Sequence, residues 1–252
     1  MTAPFGKVYL IGAGPGAADL ITVRGARLLS QANAVLYDAL VTPAMLDLCP
    51  QAVKISVGKR SGQRSAAQEH INEQLIACAK QYAVVVRLKG GDPMLFGRAD
   101  EELSALESYN ISYEIVPGIT TALAAAASVC QPLTKRGIAR SVALFTSSTA
   151  PGEVADTRIP ECDTLVQYMG GKEAMLTAQR MLAAQFPPDW PVIVIENCSR
   201  EDERIEKLSL HQLSQGLAAS TGPVLVMMGE AMRARTSTPY PATQVNTKSN
   251  EI

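Results

Sequence analysis

The chain is poor in the residues that most enzymes use for nucleophilic or metal chemistry. It has two histidines, His70 and His211, both in polar, helical-looking stretches, which argues against a catalytic imidazole or a His-rich metal site. Its five cysteines (Cys49, Cys78, Cys130, Cys162, Cys198) are scattered, odd in number and lack a C-x-x-C pair. Neither zinc nor a disulfide framework is indicated, and buried free thiols in a reducing cytoplasm are the better reading. No apolar run reaches the ~18 residues that a membrane helix needs, and Met1 to Lys7 carries no charged-then-apolar leader pattern. A cytoplasmic protein without a membrane partner is expected. Charge of one sign is also missing, with 23 Lys+Arg against 24 Asp+Glu, so no global field points to nucleic acid. The distribution is less even: Lys54, Lys59, Arg60, Arg64, Lys80, Arg87, Lys89 and Arg98 face only Glu69, Glu73 and Asp92 over that stretch. This predicts a locally positive surface suited to a small anion.

At 252 residues the chain has material for two ordinary domains. Val84 to Lys89 reads as a buried parallel strand, and Gly90-Gly91-Asp92-Pro93 ends it, leaving bare backbone, the Asp92 carboxylate and the Arg98 guanidinium at a strand's carboxyl end. Ligands bind at that edge of open α/β sheets. Around this stretch the pattern alternates. Lys7 to Ile11 is a strand running into Gly12-Ala-Gly-Pro-Gly16, Asp19 reads as the N-cap of a helix through Gln31, and Ala34 to Asp38 is a second strand. A short helix from Pro43 to Cys49, a strand Val53 to Val57, a basic loop Gly58 to Arg64 and a crossover helix Ala66 to Gln81 follow. Ala99 to Tyr109 is a helix whose early acids, Asp100, Glu101 and Glu102, suit its dipole. Tyr113 to Val116 is a strand closed by Pro117 to Thr121, and Ala122 to Val129 is an alanine-packed helix. The loops at Gly12 to Gly16, Asp38, Gly90 to Asp92 and Pro117 to Thr121 are expected to converge on one sheet edge.

Gln131 to Gly137 reads as a polar joint. Beyond it come strands at Val142 to Thr146, Thr164 to Met169, Pro191 to Glu196 and Pro223 to Met228, with helices at Lys172 to Ala184 and Leu210 to Leu217. Arg200 to Lys207, densely charged, reads as an exposed hairpin or loop. The expected units are an N-terminal α/β domain over 1–136, a C-terminal α/β domain over 137–234 and a loose tail over 235–252. One alternative arises from Gly12-x-Gly14-x-x-Ala17 with Asp38, which fits a nicotinamide-dinucleotide fingerprint. Pro15 counts against it, because it has no amide to offer a pyrophosphate.

Taken in order, Val8-Tyr-Leu-Ile-Gly-Ala-Gly-Pro-Gly16, Val35-Leu-Tyr-Asp-Ala-Leu-Val41, Val57-Gly-Lys-Arg60, Val86-Arg-Leu-Lys-Gly-Gly-Asp-Pro93 and Phe96-Gly-Arg98 form one series. Val116-Pro-Gly-Ile-Thr120, Pro132-Leu-Thr134 with Arg136, Tyr168-Met-Gly170 and Glu196-Asn197 complete it. The series resembles uroporphyrinogen-III C-methyltransferases of the tetrapyrrole methylase superfamily. That resemblance implies two α/β domains, an N-terminal mostly parallel sheet and a C-terminal mixed sheet, with the active site in the cleft between them. It implies S-adenosylmethionine as methyl donor, S-adenosylhomocysteine as product, no metal, uroporphyrinogen III as substrate, methylation at C2 and C7 through precorrin-1 to precorrin-2, and a homodimer. Carried over by motif position, cofactor contacts fall on Pro15, Gly90, Gly91, Asp92, Thr120, Thr121 and Met169, with backbone at Cys198 and Val224. Tetrapyrrole contacts fall on Asp38, Arg98, Glu101, Arg136 and Met169, with Arg98 and Glu101 also nominated for catalysis. The sequence departs from the family pattern at Ala17-Ala18, Ala99-Asp100, Lys135 and Ser147-Ser148. The substrate carries eight carboxylates, so permanently charged, forked arginines suit it. Other readings are a later precorrin methyltransferase of the same superfamily and a non-catalytic tetrapyrrole-binding module.

Overall fold

The structure, a computed structural model, describes residues 5–57, 64–148 and 158–234. Most of the loop Gly58 to Arg64 and the tail from 235 lie outside the described residues. Two five-stranded sheets carry the fold. The first has β1 (Lys7–Gly12), β2 (Ala34–Tyr37), β3 (Val53–Ser56), β4 (Val84–Lys89) and β5 (Tyr113–Val116) in the order β3-β2-β4-β1-β5, all parallel. Its two faces are covered by α1 (Val23–Leu29) with α2 (Pro43–Leu46), and by α3 (Arg64–Gln81) with α4 (Ala99–Ser108). The central strands need apolar residues at successive positions because both faces are buried, as Val85, Val86 and Leu88 are.

The second sheet is mixed, in the order β6-β7-β10-β8-β9. β6 (Val142–Thr146) pairs in parallel with β7 (Thr164–Tyr168), and β8 (Pro191–Glu196), β9 (Arg204–Ser209) and β10 (Val224–Met228) join antiparallel. α6 (Gly170–Ala183) and α7 (Leu210–Ser214) cover one face. The other face receives α5 (Thr121–Ser128), whose Ala122 and Ala125 pack with Val166, Ile195 and Leu225. Among the described residues no helix is long and apolar enough to cross a membrane.

Several expectations change. Asp19 is not a helix cap: Ala18–Leu20 forms a 3-10 turn and α1 starts later, capped by Thr22 Oγ1 accepting from Gly25 N at 3.1 Å. Within α1 Val23 is 89% exposed, while Leu29 is buried. The charged segment after residue 200 ends in an edge strand, β9, whose exposed charges blunt further pairing. The locally positive surface also fails in part. Arg87 and Lys89 are buried, and Glu102, expected merely to complement a helix dipole, is fully buried between them. Arg87 Nε donates to Glu102 Oε1 at 2.9 Å and Lys89 Nζ to Oε2 at 2.8 Å. Burial and the Arg87 charge hold the Lys89 ammonium below its ordinary range, against the pull of Glu102.

Two backbone devices shape the sheet ends. Asn110, Cys130 and Gln185 have positive φ (54°, 54°, 66°) just past α4, α5 and α6. The following residues, Ile111, Gln131 and Phe186, donate back to Leu106, Ala126 and Met181 carbonyls at 3.0 Å, which terminates each helix in a Schellman turn. The second device is a triple backbone contact. A Cβ on Gly12 would lie 2.5 Å from Gly118 Cα, and one on Gly118 would lie 2.2 Å from Gly91 O, so loops from β1, β4 and β5 meet where side chains do not fit.

These contacts and the buried Glu102 group set three expectations for denaturant titrations. Gly118→Ala should destabilise the protein by about 2–4 kcal/mol, since its neighbours are backbone and cannot yield. Gly137→Ala, at φ +76° with nothing within 4 Å, should cost only about 1 kcal/mol. Glu102→Gln should cost about 3–5 kcal/mol, because it leaves two buried cations without their anion.

Candidate active site

β1 and β4 are neighbours, so their carboxyl-end loops leave the sheet side by side. They zip together: Gly14 N donates to Gly91 O at 3.2 Å, and Gly91 N to Gly14 O at 2.7 Å. Asp92 joins this pair to the β5 loop, with Oδ2 accepting from Gly118 N at 2.9 Å and Oδ1 from Met94 N at 2.8 Å. Asp38 does the same from β2, accepting from Leu40 N at 2.9 Å and Gly90 N at 3.3 Å. Both carboxylates therefore brace loops. The expected convergence on one edge of the sheet is observed.

Above that edge lies a cavity of about 210 Å³. All nine residues nominated for the cofactor, Pro15, Gly90, Gly91, Asp92, Thr120, Thr121, Met169, Cys198 and Val224, line it. A Cβ on Gly91, at φ +70°, would meet nothing within 4 Å, so this part of the wall is open backbone. Met169 is half exposed. The other nominated tetrapyrrole residues lie outside the lining. Asp38 holds Gly90 from behind. Arg98 and Glu101 form a fork two residues beyond the lining residue Phe96, Nε to Oε1 at 2.6 Å and Nη2 to Oε2 at 2.7 Å, each nearly half exposed. Arg136 sits on an exposed turn closed by the Lys135–Ala139 bridge.

Several residues of the cavity have no role assigned by motif position: Phe96, Tyr168, Leu40 and Arg200 among them. Phe96 and Tyr168 stand inside quoted motifs, which is the one signal in the sequence that points to them. Their rings meet at 5.1 Å between centroids, joining the β4 loop to the end of β7 across the cleft. The Tyr168 hydroxyl pairs with Thr120 Oγ1 and accepts from Ala122 N at 3.0 Å, so it serves the first turn of α5. Burial raises its pKa. A second crossing is made by Ser199 Oγ, which accepts from Ala17 N at 3.1 Å.

Five non-glycine residues with positive φ gather here: Phe96 (52°), Arg98 (53°), Met169 (56°), Asn197 (53°) and Ser199 (60°). Each costs about 1 kcal/mol or more, and such outliers concentrate where surroundings hold a side chain in a prescribed place. The support for Arg98 is visible. Lys89 Nζ, already on Glu102, also donates to Gly97 O at 2.5 Å, so the buried triad grips the peptide just before it. On the opposite wall, burial would push the Glu196 carboxyl up, but N–H groups of Gly222 and Thr221 and the Arg204 guanidinium bring it below its ordinary range. This carboxylate fixes the turn that leads into Val224. Burial pushes the Cys198 thiol up to about 12, with Glu203 adding to the effect.

The arrangement is unsuited to a dinucleotide. Gly14 N and Ala17 N are used internally, Pro15 has none, and ten residues separate Gly12 from the start of α1, so the glycine loop does not lead directly into that helix as a dinucleotide loop does. Asp38 spends both oxygens on backbone. The cavity instead offers a hydrophobic, backbone-rich trough between two sheets.

Comparison with known proteins agrees with this geometry. The family of Tetrapyrrole (Corrin/Porphyrin) Methylases matches residues 7–214. A siroheme synthase of Hydrogenovibrio crunogenus is 40% identical over 238 residues, covering 92% of this chain and 50% of the relative. The chain thus spans about half the length of the curated relatives it matches. Uroporphyrin III C-methyl transferase of Thermus thermophilus superposes with a TM-score of 0.80 at 36% identity, covering 90% of this chain and 94% of that one. The same protein complexed with S-adenyl homocysteine gives 0.78. A cobalt precorrin-4 methyltransferase gives 0.77 at 27% identity, covering 90% and 96%. From the matched family, the two sheets and the trough between them, the chain belongs to the tetrapyrrole methylases.

Proposed function

We infer that this protein methylates uroporphyrinogen III on carbons C2 and C7, giving precorrin-2 by way of precorrin-1, with S-adenosylmethionine as donor. The observation that carries the reading is the single cavity lined by all nine residues nominated for the donor. The Thermus relative complexed with S-adenyl homocysteine supports it. The wall fits such a ligand: apolar side chains for a thioether chain and purine, bare backbone at Gly90 and Gly91 for polar edges, and, among the described residues, no lysine or histidine in the lining. When bound, the donor supplies an electrophilic methyl group on a sulfonium and leaves as S-adenosylhomocysteine.

The protein's own part is placement. The substrate's pyrrole carbons are already electron-rich, so no covalent enzyme nucleophile is required, and the two histidines outside the site agree with that. Asp92 and Asp38 hold the loops that bear the donor wall. Met169, exposed beside the cavity, faces the macrocycle. Arg98, with its fork set by Glu101 and its backbone set by Lys89, receives substrate carboxylates and fixes the approach of the reacting carbon. Glu101, paired with Arg98, accepts the proton released after methyl transfer. Arg136 offers a further guanidinium from its turn. Phe96 and Tyr168 close the trough against water. The cobalt precorrin-4 methyltransferase likeness gives a second reading, methylation of a later precorrin, which differs in substrate and in the carbon alkylated.

Anaerobic incubation of the purified protein with uroporphyrinogen III and S-adenosylmethionine should yield a product heavier by two methyl groups, read by mass spectrometry. Donor binding without methyl gain would favour the later precorrin. Arg98→Lys keeps the charge and loses the fork, and should raise KM for the tetrapyrrole by about ten-fold or more. Wild-type constants in that variant would remove Arg98 from recognition.

A further inference from the structure

We propose that Arg200 is a carboxylate-binding residue of the cleft, seating the anionic end of a ligand on the wall formed by Pro15 and Leu40. The proposal rests on the methyl-transfer reading and adds a recognition residue to it. Arg200 belongs to the loop after β8, in the second sheet, yet its side chain reaches loops of the first. Its stem runs over Gly16, where a Cβ would come 2.7 Å from Arg200 Cγ. At the far end Nη2 donates to the Leu40 carbonyl at 2.8 Å. One arm of the guanidinium is thereby anchored and its plane is set.

The other donors explain why this is more than a tether. Nε is shut off from solvent and has no acceptor. A buried donor on a charged group is costly to leave unmet, and among the described residues no carboxylate pairs with Arg200. Two acids that follow it are engaged elsewhere: Asp202 accepts from Asn197 Nδ2 at 2.7 Å, and Glu203 from Ser199 N at 2.6 Å. Among the described residues of the cavity lining, Arg200 is the one cation. The one carboxylate among them, Asp92, already accepts two backbone N–H groups. Neither Arg98, forked on Glu101, nor Arg136, on its turn, reaches this wall. The guanidinium's remaining N–H groups stand on a wall that holds no other cation, and the anion that suits them is a carboxylate. The methyl donor's amino-acid end and the tetrapyrrole's acid arms both provide one.

The test compares wild type, Arg200→Gln and Arg200→Lys. Calorimetry measures binding of S-adenosylhomocysteine and of its decarboxylated analogue, anaerobic turnover gives KM for uroporphyrinogen III, and thermal unfolding reports folding. Loss of a charge-assisted bond is expected to weaken one ligand by about ten- to a hundred-fold, with lysine restoring only part. If Kd for S-adenosylhomocysteine rises while KM holds, the carboxylate is the donor's, and the decarboxylated analogue should then bind wild type and Arg200→Gln alike. A raised KM with unchanged Kd assigns it to the tetrapyrrole. Unchanged constants in folded Arg200→Gln overturn the proposal and leave Arg200 a tether to Leu40. Should the glutamine variant not fold, Arg200→Lys carries the same comparison. Wild type that binds S-adenosylhomocysteine but fails to methylate uroporphyrinogen III would displace the substrate reading alone. Wild type that binds neither would remove the underlying reading and this proposal together.

Discussion

Everything at the active edge depends on three backbones touching. Gly12 and Gly118 approach each other and the Gly91 carbonyl more closely than any side chain would allow, and the paired bonds between Gly14 and Gly91 fix the loops of β1 and β4 in register. Asp92 then spans from one loop to the next with a single carboxylate. The result is a stiff floor made mostly of peptide groups. Such a floor can follow the shape of a ligand closely, because no rotamers have to be ordered when it binds.

The second sheet closes the trough from above through a small number of cross-cleft contacts. Phe96 meets Tyr168, Ser199 meets Ala17, and Arg200 meets Leu40. Each contact joins a loop of one sheet to a loop of the other, so the trough's width depends on loops whose inner ends are anchored to strands. The buried Arg87–Glu102–Lys89 group works in the same sense from below. It ties β4 to α4 and to the Gly97 carbonyl, and thereby sets the backbone on which Arg98 stands.

Much of this was legible in the sequence for a simple reason. Strands buried on both faces announce themselves as near-continuous β-branched runs, so β4 and β8 fall on their predicted bounds, and the half-buried edge strands β5 and β6 do so between clear turn residues. Glycine loops at strand ends likewise mark where backbones approach. Charge was misleading where burial reversed its meaning: Arg87, Lys89 and Glu102 read as surface residues and form an interior group. Asp19 had the composition of a cap, but the backbone first makes a 3-10 turn, and Thr22 supplies the cap instead. The left-handed backbone at Phe96, Arg98 and Met169 has no signature in residue type, because these side chains disfavour it and only the packed surroundings impose it. Arg200 was hidden for a related reason. Its neighbours in sequence are acids, while its neighbours in space are loops from the other sheet.

Cys198 gives the site one more property. The residue lines the same cavity yet is packed into the core beneath it, and burial with the nearby Glu203 lifts the thiol pKa to about 12. A thiol raised this far stays protonated at neutral pH, and only the thiolate is an effective nucleophile. A pocket that handles an alkylating sulfonium thus keeps its own sulfur chemically silent. The burial that lifts the thiol pKa is what makes it so.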